Sequence, residues 1–226
     1  MDAPDTFPRR HRRTLALVLA AAVSATSLLT PSTAAASPVS DHPEIIATSA
    51  LALEAHERWA SAGDTAAYLA FVDARDRVAA MTAAALSRPS DEMVSAWADS
   101  DVDGQIAVLA AMTQLGVPWR RNARAEGEGF DCSGLTSYAW ARAGVEIERS
   151  SRNQFRAAAE IDRDDARLGD LVWYPGHVML YLGVGDTVLH SPTHGRDIEF
   201  LELSERRASW ARYADPTPDA TDDPGR

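Results

Sequence analysis

The sequence predicts an α+β fold in which helices precede an antiparallel β-sheet. Between residues 42 and about 160, apolar side chains recur at the three- and four-residue spacing of helices, whereas short apolar runs separated by glycine and proline follow from residue 171. Helices first and a strand meander second are typical of domains whose helices pack on an antiparallel sheet. We therefore expect a helical accessory region at 37–100 and an α+β domain at 101–214.

The first 36 residues have the order of an export signal. Clustered arginines precede an apolar run from Leu15 to about Leu29, and small residues follow at Ala34 and Ala36. The apolar run is shorter than the roughly 20 residues that a permanent membrane helix needs. We predict a signal peptide at 1–36 and an exported protein. An uncleaved anchor is the alternative, and the adjacent arginines make a twin-arginine route one of the export routes to consider.

The acidic composition argues against polyanionic partners. The chain has 33 acidic and 22 basic residues and a formal net charge of −11, and loss of the arginine-rich signal would make it more negative. Nucleic acid and anionic lipid are therefore poor candidate ligands. The C-terminal segment 215–226 is rich in proline and aspartate and is predicted to be a disordered acidic tail.

The accessory region predicts a helical hairpin followed by a shorter helix. Gly63 can end one helix and Asp64 can cap the next. A second break comes near residue 89, where Ser90 or Asp91 can cap the third helix. We interpret 37–100 as a unit that docks on the following domain or binds a protein partner.

The second domain is expected to contain three helices followed by four strands. The pattern places helices at 106–115, 135–142 and 153–159, and strands at 171–174, 177–182, 187–190 and 197–203. Glycine and proline between the strands favour hairpin turns, and hence an antiparallel sheet.

The candidate nucleophile is Cys132, the single cysteine of the chain. It cannot form an internal disulfide, so an exported protein that keeps this thiol favours a chemical role for it. Asp131 precedes it at an expected helix start. Free backbone N–H groups at such a start would lower the pKa of the thiol and could hold an oxyanion. The alternative is a small, inert core side chain.

Two histidines are candidate partners for the thiol. His177 follows a Pro-Gly turn and begins an alternating strand, which would place its imidazole at the mouth of a cleft. His190 ends the next strand, and a hairpin would bring it beside His177, where it could fix the tautomer that serves Cys132. His194, in the looser segment that follows, is the rival for this third role. An ordinary strand-end hydrogen bond is the alternative for His177.

Five motifs, in this order, resemble those of the NlpC-type cell-wall endopeptidases. They lie at 130–135, 149–151 with Gln154, 168–172, 177–183 and 188–192. The resemblance implies a papain-like fold and a secreted or cell-wall-associated cysteine peptidase that needs no metal or cofactor. It implies a Cys132, His177 and His190 triad acting on peptidoglycan stem peptides, commonly at the D-γ-glutamyl–diaminopimelate bond.

The resemblance also implies a set of substrate-contacting residues. They are Asp131, Ser133, Arg149 and Ser151, together with Trp119, which stands where the family has a tyrosine that points at the nucleophile. The glycine-rich turn that follows this tyrosine in the family is also absent here. Two alternatives therefore stay open: an N-acetylmuramoyl-L-alanine amidase or acyl transferase with the same thiol chemistry, and a catalytically weak module that binds wall peptides or a partner.

Overall fold

The computed structural model describes residues 42–217, so the predicted signal peptide and the predicted tail beyond Thr217 lie outside the described residues. The helices are α1 (Pro43–Ala62), α2 (Thr65–Ala85), α3 (Ser90–Ala98), α4 (Val102–Met112), α5 (Cys132–Arg142), α6 (Ser151–Ala157) and α7 (Glu205–Ala208). The strands are β1 (Arg124–Ala125), β2 (Gly129–Phe130), β3 (Ala159–Ile161), β4 (Leu171–Tyr174), β5 (His177–Tyr181), β6 (Thr187–His190), β7 (Glu199–Glu202) and β8 (Arg212–Asp215). Within 42–217, none of the helices combines the length and apolar character that a membrane crossing requires.

The accessory region forms a helical hairpin and a third helix, and the break between α1 and α2 lies where the sequence predicts it. Gly63 adopts the left-handed conformation (φ 66°) that ends α1, and the Asp64 side chain accepts a backbone N–H at 2.9 Å at the start of α2. The prediction of Ser90 or Asp91 as the N-cap of α3 is wrong, because Pro89 holds that position. Asp91 lies instead in the first turn, where its charge interacts favourably with the helix dipole.

The three accessory helices share one hydrophobic core with the residues that follow them. Phe71 of α2, Trp97 of α3 and Leu109 of α4 are almost fully buried in the same cluster as Leu180 of β5. The Trp97 indole N–H donates to the Leu182 carbonyl at 3.0 Å, so this buried side chain also has its polar atom satisfied. The described part of the accessory region, residues 42–100, is therefore docked on the residues that follow it through apolar burial and a buried hydrogen bond.

The described strands include a six-stranded antiparallel sheet in the order β3–β8–β4–β5–β6–β7. The four strands from β4 to β7 are neighbours in chain order, as the predicted meander requires. Helices pack on this sheet, so the α+β prediction is confirmed. Both faces of β5 are buried: Val178 and Leu180 lie in the core that includes α5, and Met179 lies in a second cluster on the opposite face.

The sequence patterns did not predict four short strands, which are β1, β2, β3 and β8. β8 inserts between β3 and β4, and it ends at Asp215, the first residue of the predicted tail. β3 occupies part of the expected helix at 153–159, because α6 begins and ends two residues earlier. The Ser150 side chain caps α6 by accepting the Asn153 N–H at 3.3 Å, and Ala158 is already extended.

Candidate active site

Cys132 is the first residue of α5, and the turn before it is fixed by tight contacts. The Asp131 side chain caps the helix by accepting the Gly134 N–H at 2.6 Å. A Cβ at Gly134 would lie 2.0 Å from the Ala123 carbonyl oxygen, so only glycine allows the preceding loop to pack against this helix start. The nucleophile candidate therefore sits on a rigid element rather than on a free loop.

The environment of the Cys132 thiol does not favour the thiolate in the resting protein. Burial raises the pKa of the thiol, and the negative charge of Asp131 adds to this effect. Backbone N–H groups of Val178, Ser133 and Cys132 act in the opposite direction but do not outweigh burial. The prediction that the helix start lowers the pKa of this thiol is therefore wrong for the net effect. The N–H groups are nevertheless directed at the sulfur, where they can stabilise negative charge that develops during a reaction.

His177 and His190 form a buried pair. His177 begins β5 and His190 ends β6, and the adjacent strands bring the Nε2 atom of His177 to 2.8 Å from the Nδ1 atom of His190. His194 lies elsewhere, exposed, with its ring centroid 6.1 Å from that of Trp119. Of the two candidates for the third position, it is His190 that contacts His177.

Both buried histidines are neutral at neutral pH. Burial lowers the pKa of His177 to about 3, with repulsion from His190 as the next cause. Burial likewise lowers the pKa of His190 to about 4, with further lowering by the charges of Arg196 and Arg207. A neutral imidazole can accept a proton, so either ring retains the capacity to act as a base.

Ser191 links the cysteine loop to the end of β6. Its hydroxyl, which is fully buried, donates to the Phe130 carbonyl at 2.8 Å. Phe130 lies two positions before Cys132, and Ser191 directly follows His190. The bond therefore holds the strand that carries His190 against the loop that carries the thiol. The sequence motif 188–192 included Ser191 without indicating this role.

Three of the expected substrate-contacting residues contact one another. The Arg149 guanidinium donates to both carboxylate oxygens of Asp131, each at 3.0 Å. The same guanidinium donates to the Ser133 hydroxyl at 2.9 Å. In this structure the polar groups of Asp131 and Ser133 are thus directed towards Arg149. A groove of about 830 Å³ opens beside Arg149, but it is not lined by Cys132 or the histidine pair.

The other two expected residues are Ser151 and Trp119. Ser151 is the first residue of α6 and is half-buried. Trp119 is also half-buried. Its backbone forms a β-bridge with Phe130, and its backbone N–H donates to the Arg196 carbonyl at 2.9 Å. Trp119 is therefore held beside the chain that leads into Cys132.

The sequence patterns do not indicate one contact of the histidine pair. The Nε2 atom of His190 lies 3.3 Å from the Oε1 atom of Glu199, and Arg196 binds the same carboxylate oxygen. The signal that could have found it is the hairpin register, because His190 and Glu199 are direct partners between β6 and β7. Within residues 42–217, no group of three or more His, Cys, Asp or Glu side chains is arranged to hold a metal ion.

Comparison with known proteins identifies the domain that carries this site. Residues 116–213 match the model of the NlpC/P60 family. The chain is 34% identical over 119 residues to the murein DD-endopeptidase MepH of Escherichia coli, covering 48% of this chain and 43% of that protein. It is 46% identical over 72 residues to the peptidoglycan endopeptidase RipB of Mycobacterium tuberculosis, covering 30% of each chain.

A solved NlpC/P60 family structure from Bacillus cereus is 28% identical, with a TM-score of 0.46, and covers 50% of this chain and 39% of that one. The chain thus spans less than half the length of each of these three proteins. The resemblance drawn from the five sequence motifs is confirmed, because residues 116–213, which carry Cys132 and the histidine pair, match the NlpC/P60 family model.

Proposed function

We propose that this domain is a cysteine endopeptidase that hydrolyses the stem peptides of peptidoglycan. The observation that carries the proposal is the arrangement of Cys132 at the start of α5, against the backbone of Val178, with a hydrogen-bonded pair of neutral histidines at the adjacent strand ends. Relatives named as murein and peptidoglycan endopeptidases support the same substrate class. Cys132, His177 and His190 are the proposed catalytic groups.

The proposed mechanism is general-base catalysis rather than attack by a preformed ion pair. Both the thiol and the imidazoles are neutral at rest, so His177 takes the thiol proton as the sulfur attacks the amide carbonyl. Because Nε2 of His177 is engaged with His190, Nδ1 is the nitrogen left to accept this proton. The resulting imidazolium then protonates the leaving amine, and water releases the acyl group from Cys132. Backbone N–H groups near the sulfur would stabilise the oxyanion.

The proposed scissile bond is that between D-γ-glutamate and diaminopimelate. The name of the E. coli relative makes a D,D-bond the principal competitor, and the muramoyl–L-alanine amide or acyl transfer remain alternatives. Each bond leaves a different new amino terminus. The site of action proposed for the chain is outside the cell, at the wall, after export by the segment at 1–36.

A binding module that recognises wall peptides without cleaving them is the second candidate function. The raised pKa of the Cys132 thiol favours it, as does Trp119 in place of the tyrosine expected from the resemblance. The two functions differ in product formation, since a binder retains wall peptides but releases none.

The deciding experiment is digestion of defined muropeptides by a protein comprising residues 37–226, with products identified by mass spectrometry. The endopeptidase releases fragments that begin with diaminopimelate, and Cys132→Ala abolishes their release while the protein stays folded by circular dichroism. Release that persists in folded Cys132→Ala would refute the mechanism. Binding of muropeptides with no product from the wild-type protein would establish the binding module instead.

A further inference from the structure

Glu199 lies at the end of a hydrogen-bonded row that begins at the proposed catalytic base. It is the first residue of β7 and faces His190 directly across the β6–β7 pair. Its Oε1 atom is 3.3 Å from Nε2 of His190, whose Nδ1 atom is 2.8 Å from Nε2 of His177. Glu199 is therefore connected to His177 through a single imidazole ring.

The carboxylate determines which nitrogen of each ring carries hydrogen. An ionised carboxylate can only accept, so the Nε2 atom of His190 must donate to Glu199. A neutral ring has one N–H, which leaves Nδ1 of His190 as an acceptor and requires Nε2 of His177 to donate to it. The Nδ1 atom of His177 is then bare. This is the form of His177 that can take the thiol proton.

The opposite arrangement would disable the base. If Nε2 of His190 accepted instead, its Nδ1 would donate to His177, and the hydrogen of His177 would move to Nδ1. Neither neutral ring excludes this arrangement by itself, because the 2.8 Å contact between them is satisfied in both directions. The preference for one direction of this hydrogen bond must therefore come from a group on the far side of His190, and Glu199 is the group that contacts His190 there.

Arg196 completes the arrangement by neutralising the carboxylate. It binds the Oε1 atom that faces His190. The positive charges of Arg196 and Arg207 also disfavour an imidazolium at His190, whose ring remains neutral. A neutral imidazole has two tautomers, whereas an imidazolium carries hydrogen on both nitrogens. The hydrogen bond to Glu199 therefore decides which tautomer His190 adopts.

We infer that Glu199 is a positioning residue that fixes the tautomers of His190 and His177, so that Nδ1 of His177 is free to act as the base. The inference rests on the proposed peptidase function and deepens it. Glutamine at position 199 would present either an acceptor or a donor to His190, so both hydrogen-bond directions would become available. Outer groups that orient metal-bound histidines contribute roughly 10- to 100-fold to activity, and we expect a loss of the same order when this orienting contact is removed.

The test compares Glu199→Gln with Glu202→Gln. Glu202 is on the same strand and also pairs with an arginine, Arg88, but it is not part of the hydrogen-bonded row. We expect Glu199→Gln to lower kcat by roughly 10- to 100-fold with little change in KM, and Glu202→Gln to leave both close to wild type. Equal losses in the two variants, or no loss in Glu199→Gln, would overturn the inference.

A spectroscopic readout separates this inference from the proposed function. In protein with ¹⁵N-labelled histidine at pH 7, both rings should show a protonated Nε2 and a bare Nδ1, with assignments from His177→Gln and His190→Gln. Glu199→Gln should mix the tautomers, whereas Arg196→Gln, which keeps the carboxylate, should not. A protonated Nδ1 on His177 in the wild-type protein would overturn the inference even if Glu199→Gln failed to fold. Failure of the proposed function would appear differently, as wild-type protein with the expected tautomers that releases no wall peptide.

Discussion

Replacing Trp97 with alanine tests whether the accessory helices are an integral part of the folded domain. Trp97 is fully buried in α3 among residues of α2, α4 and β5, and its indole N–H satisfies the Leu182 carbonyl. Truncation of a buried tryptophan costs about 3–5 kcal/mol through lost apolar burial and the cavity left behind. The unpaired carbonyl of Leu182 adds about 1–3 kcal/mol if water does not reach it. We expect a total of about 4–6 kcal/mol, because the two effects overlap.

The assay is urea unfolding of residues 37–226, followed by far-UV circular dichroism so that the loss of one fluorophore does not affect the signal. Trp210→Ala is the matched control, since Trp210 is 59% exposed and its ring lies under the Arg206 guanidinium. Its cost should stay below about 1 kcal/mol. The reasoning would be refuted if both variants lost similar stability, or if the wild-type protein unfolded in two separate steps with Trp97→Ala affecting only one.

Three further predictions address the pH dependence, the loop contact and the thiol. Burial raises the pKa of Asp170 to about 7, so the folded state favours its protonated form and loses stability as pH rises from about 4 to 7. The stability of Asp170→Asn relative to wild type, measured by urea titration, should therefore increase by up to about 4 kcal/mol across that range. A stability difference that does not change with pH would contradict this. Ser191→Ala removes the hydroxyl bonded to Phe130 and should cost about 1–3 kcal/mol and lower kcat, whereas Ser209→Ala at an exposed site should change neither. The alkylation rate of Cys132 with iodoacetamide should keep rising above pH 9, because burial raises the pKa of the thiol; a plateau near neutral pH would show a preformed thiolate.

Local sequence signals predicted the elements that carry the proposed active site. The capping residue Asp131, the Pro-Gly turn before His177 and the hairpin before His190 are short-range features, and each places its residue where the structure has it. The contact between His177 and His190 followed from strand pairing alone. These predictions depend on at most two neighbouring elements.

The features that were missed depend on contacts between distant parts of the chain. β8 pairs with β4 across about forty residues of sequence, and its short, mixed pattern gives no periodic signal of its own. Glu199 was overlooked because its role depends on the register between β6 and β7, which begins past an irregular loop. The docking of α3 through Trp97 likewise depends on the Leu182 carbonyl at the end of β5.

The pKa of Cys132 shows why its position at a helix start does not by itself predict the direction of the pKa shift. The helix start does direct N–H groups at the sulfur, as its position predicts, but the sheet and helix that supply Val178 and Ser133 also remove water from the thiol. A neutral thiol is compatible with catalysis if the charge forms only during attack, when the N–H groups stabilise sulfur and oxyanion and His177 becomes an imidazolium. That imidazolium is buried, so its stability depends on the bare Nδ1 atom of His190 that accepts its Nε2 hydrogen. In the proposed mechanism, the row of hydrogen bonds that orients the base at rest would therefore also stabilise its charge in the transition state.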